Sequence, residues 1–206
     1  MTAMKPRVLL TLGLLAFAGL LWLGVKTSRA GYEGPDYSVI SKEGEVEIRR
    51  YETMTAAATP MKIDGKEGGR DSGFGRLFRF ITGDNEREEN IAMTSPVFIE
   101  SDTAATEKVM IFVMPEATVE AGTPKPKNAS VTVKPVEGGT FAALRFKGYR
   151  SEDAKKEALE KLREAIAAAG LTAEGEPYFA YYDPPWTPEM LRRNEVLWRV
   201  SGVKAE

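Results

Sequence analysis

The chain of 206 residues contains neither cysteine nor histidine. Without cysteine there is no disulfide and no cysteine-linked lipid, so the fold depends on packing. Zinc sites of the usual kinds need one of these two residues, and the Ser-His-Asp and Cys-His hydrolases need a histidine base. These enzyme and metal-site classes are therefore excluded.

Positive charge is scarce in the main part of the chain. Residues 1–30 hold four of the 28 basic residues and no acidic one, which leaves 24 basic against 30 acidic residues in 31–206. An acidic surplus of this kind disfavours sequence-independent binding to DNA or RNA. We therefore expect no nucleic-acid partner.

One uncharged and almost wholly apolar run covers residues 8–25. As a helix, eighteen residues extend about 27 Å, close to the thickness of a hydrocarbon core. Ser28 and Ala30 place small residues before a candidate cleavage point. Residues 1–30 are thus predicted to be a signal peptide or an N-terminal membrane anchor. Either alternative places residues 31–206 outside the cytoplasm, in the periplasm or facing outward from a membrane.

The remainder alternates strand-like and helix-like patterns. A period of two and apolar runs predict eight strands, at 45–51, 55–61, 91–100, 108–115, 131–136, 140–148, 177–183 and 195–200. A helical period predicts one helix around 74–81 and a second that begins after Ser151 and ends before Gly170. Each half therefore has the order strand, strand, helix, strand, strand. We expect an α+β domain in which two sheet-and-helix halves pack together.

Three separated motifs resemble the SOUL haem-binding protein family in residues and spacing. They are GFGRLFRFITGDNEREENIAMTSPV at 73–97, VMIFVMP at 109–115 and YDPPWTPEMLRRNEV at 182–196, within a resemblance that runs from about Tyr37 to Val200. The resemblance implies that 31–206 is a SOUL-type domain: a distorted antiparallel β-barrel of about eight strands with two flanking helices, built from two pseudo-repeated halves. It also implies binding of haem or a related tetrapyrrole, as a carrier, buffer or sensor rather than an enzyme.

Histidine ligation of iron, attributed to some family members, cannot occur here. The resemblance then implies an apolar surface beside the first helix that holds the macrocycle, with basic groups at its carboxylates. The residues predicted for this surface are Arg70, Phe74, Arg76, Leu77, Phe78, Arg79, Ile81 and Met93. Met, Tyr and Lys are the remaining candidate iron ligands, and the sequence does not choose among them. The competing interpretation is that the apolar residues form the buried stripe of an amphipathic helix.

The C-terminal motif offers an alternative ligand site. Glu195 as a buried carboxylate, with Tyr182 and Trp186 as aromatic walls, would suit a cationic ligand in the cleft between the halves. This would be an effector-binding or hydrolytic module, although no partner acid or nucleophile for Glu195 stands out. An architectural role, in which prolines fix the turn and Arg192, Arg193 and Glu195 form ion pairs, competes with it. A surface for protein interaction without a ligand is a third alternative.

Overall fold

A computed structural model describes residues 31–62, 72–100, 108–148, 151–184 and 186–203. The predicted signal peptide or anchor at 1–30 and the predicted site residue Arg70 lie outside these ranges. In the described ranges, no helix has the length and apolar character needed to cross a membrane. From Glu33 onward the chain forms one compact unit.

Nine strands form one antiparallel sheet. They are β1 (Tyr37–Glu43), β2 (Val46–Tyr51), β3 (Met54–Pro60), β4 (Val97–Glu100), β5 (Val109–Val113), β6 (Thr132–Val136), β7 (Gly139–Lys147), β8 (Thr172–Tyr181) and β9 (Arg193–Ser201). Their order across the sheet is β1-β2-β7-β9-β8-β4-β5-β3-β6. The sequence halves are therefore interleaved, because β2 pairs with β7 and β3 pairs with β6.

The described helices are α1 (Gly73–Ile81), α2 (Glu116–Glu120) and α3 (Glu152–Ala168), with a 3-10 turn at Glu189–Leu191. Serine caps begin the two longer helices: the Ser72 hydroxyl accepts from the Gly75 N–H at 3.1 Å, and that of Ser151 from the Ala154 N–H at 3.2 Å. The start of α3 after Ser151 is therefore as predicted, and the cap at Ser72 was not predicted from the sequence.

The two longer helices pack on the same face of the sheet. Leu162 of α3 packs in a cluster with residues of β2, β7, β8 and β9, and Leu77 of α1 packs with residues of β3 and β5. Ile99 of β4 contacts both clusters, and its cross-strand partners are Phe179 and Met110 on the same face. Side chains at the alternate positions along the strands, such as Tyr51 and Leu197, point to the opposite face of the sheet and form a separate cluster there.

The α+β class is confirmed, and several details differ from the prediction. The described sheet has nine strands instead of about eight, and α2 is an additional helix. Strand β1 escaped prediction because all seven of its residues are exposed and carry no amphipathic alternation. The strand predicted at 91–100 begins only at Val97. Before it, the N–H of Ile91 donates to the carbonyl of Ile81, and the N–H of Ser95 donates to the carbonyl of Glu33.

The sheet is open at β1 and β6, each of which pairs with a single neighbour among the described residues. Closure into a barrel is therefore not confirmed. The pseudo-repeat stays a prediction.

Candidate functional site: a lysine-rimmed cleft between two helices

A cleft of about 520 Å³ lies on the helix-bearing face of the sheet. Its lining comes from the ends of β3, β4 and β5, from β8 and from α3: Met61, Lys62, Ile99, Lys108, Glu152, Lys155, Lys156, Leu159, Phe179 and Tyr181. Small-molecule sites in proteins have volumes of roughly 300–1,000 Å³. The cleft therefore has the size of a ligand site, and we call it the inter-helix cleft.

The floor of the inter-helix cleft is apolar. Ile99 and Phe179 are cross-strand partners on β4 and β8, and Tyr181 lies two residues further along β8 on the same face. Met61 continues from β3, and Leu159 projects from α3. A flat hydrocarbon surface can pack on a floor of this kind, because the contact removes water from the carbon atoms of both the ligand and the floor.

The rim of the inter-helix cleft carries four lysines, at 62, 108, 155 and 156. Among the described lining residues, the single carboxylate is Glu152, whose Oε1 lies 2.8 Å from Nζ of Lys155 and 4.0 Å from Nζ of Lys108. The hydrogen bond from Lys155 lowers the pKa of Glu152. The rim is therefore cationic and suits a ligand that carries carboxylates.

The exposed aromatic residues of α1 are outside the lining of the cleft but lie on the side of this helix that is nearer to it. Phe74 and Phe78 are 43% and 47% exposed, and their rings stack with centroids 5.8 Å apart. Phe74 meets Phe112 of β5 edge to face, whereas Arg76 bonds on the other side of the helix to Thr59 of β3. Because β5 lies between β3 and β4, the aromatic pair is on the side of α1 nearer the cleft floor.

The other residues predicted on α1 have different positions. Leu77 and Ile81 are buried against the sheet, as the amphipathic interpretation expects. Arg76 is also buried, and its guanidinium donates to the Thr59 hydroxyl at 3.0 Å and to the carbonyl of Pro60. Arg79 is half-buried near the C-terminal end of the helix, and Met93 is half-buried against the α1 cluster. The structure thus separates a set that the sequence had grouped on one surface.

Glu195 lies on the opposite face and is fully buried. Arg49 Nη1 donates to its Oε2 at 2.7 Å and Arg193 Nη2 to its Oε1 at 2.7 Å. The Tyr182 hydroxyl also donates to Oε2 at 2.8 Å, and Nε of Arg145 lies 3.6 Å from Oε1. Both carboxylate oxygens therefore already accept hydrogen bonds from the protein.

These contacts fix the charge state of Glu195. Burial alone raises its pKa, but the hydrogen bond and charge of Arg49, together with Arg193, outweigh burial and lower the pKa from 4.5 to about 2. Burial and the neighbouring carboxylate raise the pKa of Tyr182, so this phenol stays protonated as a donor. Of the predicted aromatic walls, Tyr182 contacts Glu195, whereas Trp186 is 80% exposed on the β8–β9 loop.

Sequence reasoning missed the lining of the inter-helix cleft. Ile99, Lys155 and Phe179 belong to three elements that only the sheet order brings together. The pair Lys155-Lys156 is the one local signal, because it places two cations in the first turns of a helix, where the dipole disfavours them. Within the described residues, no group of three or more Asp or Glu side chains is placed to hold a metal ion.

The described residues thus form an α+β domain with an antiparallel sheet, two helices on one face, and a cleft of ligand size with an apolar floor and a cationic rim. The sequence model of the SOUL heme-binding protein family matches residues 32–199, and the chain belongs to this family. The family predicted from the three motifs is therefore confirmed.

Among the relatives is heme-binding protein 1 of Xenopus tropicalis, 30% identical over 175 residues that cover 82% of this chain and 88% of the relative. Heme-binding protein 2 of Homo sapiens is 24% identical over 178 residues, which cover 83% and 84%. The solved C-terminal domain of EcmrR is similar in fold, with a TM-score of 0.52 and 11% identity over 81% of this chain and 99% of that domain. A hydrolase from Listeria innocua has a TM-score of 0.51 at 11% identity, over 79% and 94%.

Proposed function

We propose that this SOUL-family domain binds haem or a related tetrapyrrole in the inter-helix cleft, without histidine ligation, as a carrier, buffer or sensor. The observation that carries the proposal is the lysine rim above an apolar floor in a cleft of about 520 Å³. The family model and the names of the relatives support haem as the ligand.

The lining residues fit this group chemically. A tetrapyrrole is a flat apolar plate with carboxylates at one edge, so Ile99 and Phe179 would contact the plate and the lysines would bind the carboxylates. A thioether and a phenol line the cleft, at Met61 and Tyr181, and both types of group ligate haem iron in other proteins. Bound haem would supply a redox-active iron.

A hemin titration of the full chain, followed by the Soret band, tests the proposal. We expect saturable binding, and we expect the triple variant Lys108→Glu, Lys155→Glu, Lys156→Glu to bind about tenfold more weakly or worse, because three attractive charges become repulsive. The matched control is Lys125→Glu, Lys127→Glu, Lys134→Glu, which makes the same charge change at residues outside the cleft. Equal weakening in both triple variants, or no saturation of the full chain, would contradict the proposal.

We infer further that the two halves of the domain are equivalent. Outward from the β8–β4 pair, the strands run β8-β9-β7-β2-β1 on one side and β4-β5-β3-β6 on the other. Each side begins with the three strands nearest in sequence to its own helix and continues with a strand from the other half, β2 or β6; β1 is an extra edge strand next to β2. This order supports a doubled arrangement in which α1 and α3 are counterparts, with the inter-helix cleft between them.

The alternative, an effector-binding or hydrolytic module that uses Glu195 for a cationic ligand, has less support from the geometry. Both oxygens of Glu195 already accept from arginine and tyrosine, so a cation would have to displace Arg49 or Arg193. A carboxylate with a pKa of about 2 is also a weak general base near neutral pH. We therefore prefer ligand binding over hydrolysis. We also propose that residues 1–30 direct the chain out of the cytoplasm.

A further inference from the structure

A second cavity, of about 40 Å³, lies on the face of the sheet opposite the helices. Its lining residues are Tyr51, Met54, Phe98, Ile111, Val113, Val136, Glu137, Phe141, Tyr178 and Leu197. Every strand from β2 to β9 contributes at least one of them. The sheet must therefore curve around this cavity, and a ligand there would contact both halves. We call it the strand-face cavity.

Aromatic rings form one wall of the strand-face cavity. Tyr51 meets Phe141 with centroids 5.6 Å apart, Phe141 meets Tyr178 at 6.2 Å, and Tyr178 meets Phe98 at 6.5 Å, each edge to face. The two phenol oxygens have partners in the protein: Arg49 donates to Tyr51, and Tyr178 donates to Glu100 at 3.0 Å. The groups left to contact a ligand are therefore carbon surfaces, which favour apolar molecules.

The charges near the strand-face cavity argue against a cationic ligand. Glu195 on the same face is saturated by Arg49, Arg193 and Tyr182, and Glu100 accepts from Tyr178. Glu137, which also contributes to the lining, is exposed to solvent. No buried carboxylate among the described residues of this face is thus left unpaired to neutralise a cation, so an uncharged ligand is favoured.

The volume limits the size of the ligand. A water-sized sphere occupies about 10–15 Å³ of such space, so the cavity accommodates about three of them. The cavity is partly open to solvent, and a lining that exposes almost only carbon favours a small apolar molecule over water. We propose that the strand-face cavity is a second binding site, separate from the inter-helix cleft, for an uncharged apolar group such as a single ring or a branched alkyl end.

Toluene is a suitable probe, and its titration into the full chain can be followed by ¹H–¹⁵N correlation spectra. We expect saturable shifts at amides of lining residues such as Phe98, Ile111 and Leu197. The variant Val136→Phe should fill the cavity and weaken toluene binding about tenfold or more. The matched control is Lys134→Phe, which adds the same ring two residues earlier on β6, on the same face but outside the lining.

The result that overturns the proposal is the absence of saturable shifts, shifts confined to the inter-helix cleft, or unchanged toluene binding in a folded Val136→Phe variant. If Val136→Phe does not fold, Met54→Phe fills the cavity from the adjacent strand. Val136→Phe should also bind hemin with the same affinity as the unaltered chain, because Val136 is on the opposite face from the cleft. Failure of this proposal is thus distinguishable from failure of the haem proposal.

Discussion

At the scale of single residues, Glu195 illustrates how a buried carboxylate keeps its charge. Arg49 is itself 3% exposed and donates to both Glu195 and Glu47. Each buried charge therefore depends on the others, and removal of one weakens the compensation of its partners. Buried pairs of this kind are sensitive to deletion even where their net contribution to stability is small.

We predict that Glu195→Gln lowers the free energy of unfolding by up to about 3–5 kcal/mol near neutral pH, because it removes the buried counter-ion of Arg49 and leaves Arg49 with the partly exposed Glu47. The folded-state pKa lies below the unfolded value, so the stabilisation is fully present above about pH 4.5 and is lost as the pH falls toward about 2. Urea denaturation at several pH values measures this: the difference between wild type and variant should shrink across that window.

The control for this prediction is Glu174→Gln, at an exposed position of β8. It should change the free energy of unfolding by less than about 0.5 kcal/mol at any of these pH values. A Glu195→Gln variant as stable as this control, or a difference that does not depend on pH, would contradict the ion-pair account.

Glu152 is the second informative residue, because it competes for the lysines that we assign to the ligand. Its carboxylate accepts a hydrogen bond from Nζ of Lys155 at 2.8 Å. We predict that Glu152→Gln strengthens hemin binding by up to about fivefold, the size expected for an exposed ion pair. Glu157→Gln removes a similar pair with Lys161 outside the cleft and should leave the hemin affinity unchanged. Weaker hemin binding in Glu152→Gln would argue against its role as a competitor.

At the scale of elements, α1 shows how far a helical pattern can be interpreted. The 3.6-residue period predicted the helix correctly, but it grouped Phe74, Leu77, Phe78 and Ile81 on one face. The period could not tell the buried residues from the exposed ones, because Leu77 and Phe78 are adjacent and equally apolar. Only the position of the sheet decides that Leu77 is buried and Phe78 is 47% exposed. In the same way, Arg76 was expected at a ligand rim and instead bonds to Thr59 and Pro60.

This division predicts different effects on the two sides of α1. Replacement of both Phe74 and Phe78 by Ser should lower the free energy of unfolding by about 1–3 kcal/mol, since each ring is about half exposed and their pairs with each other and with Phe112 are lost, and should weaken hemin binding by removing a wall beside the cleft. Leu77→Ala should lower the free energy of unfolding by about 2–5 kcal/mol through the cavity it leaves. Thermal denaturation and hemin titration of both variants check the pattern. Equal hemin affinity in the double variant and wild type would remove the aromatic pair from the site.

At the scale of the whole molecule, fold class and family could be predicted because they depend on local patterns: alternation within strands, capped helices and three ordered motifs. The inter-helix cleft could not, since Ile99, Lys155 and Phe179 are far apart in sequence and meet through the order β8-β4-β5. The strand-face cavity was even harder to predict from the sequence, because eight strands contribute residues to it. Sites of this kind depend on the curvature of the sheet, for which a single strand carries no signal.

The whole chain also carries a prediction about location. The apolar run at 8–25 should direct the chain out of the cytoplasm, so the full chain expressed in a bacterium should be found in the periplasmic or membrane fraction. A chain that begins at residue 31 should remain in the cytoplasmic fraction. This shortened chain should bind hemin with the affinity of the full chain, because the compact unit begins at Glu33.

Charge placed inside the run separates targeting from folding. Leu14→Arg with Leu15→Arg costs about 6–8 kcal/mol of insertion free energy on translocon scales, so this variant should fractionate like the shortened chain while keeping its affinity for hemin. Mass spectrometry of the exported product then distinguishes a mature chain that starts at Gly31 from an intact anchored one. If the full chain, the shortened chain and the arginine variant all fractionate alike, the run does not act as an export signal, and the haem proposal is unaffected.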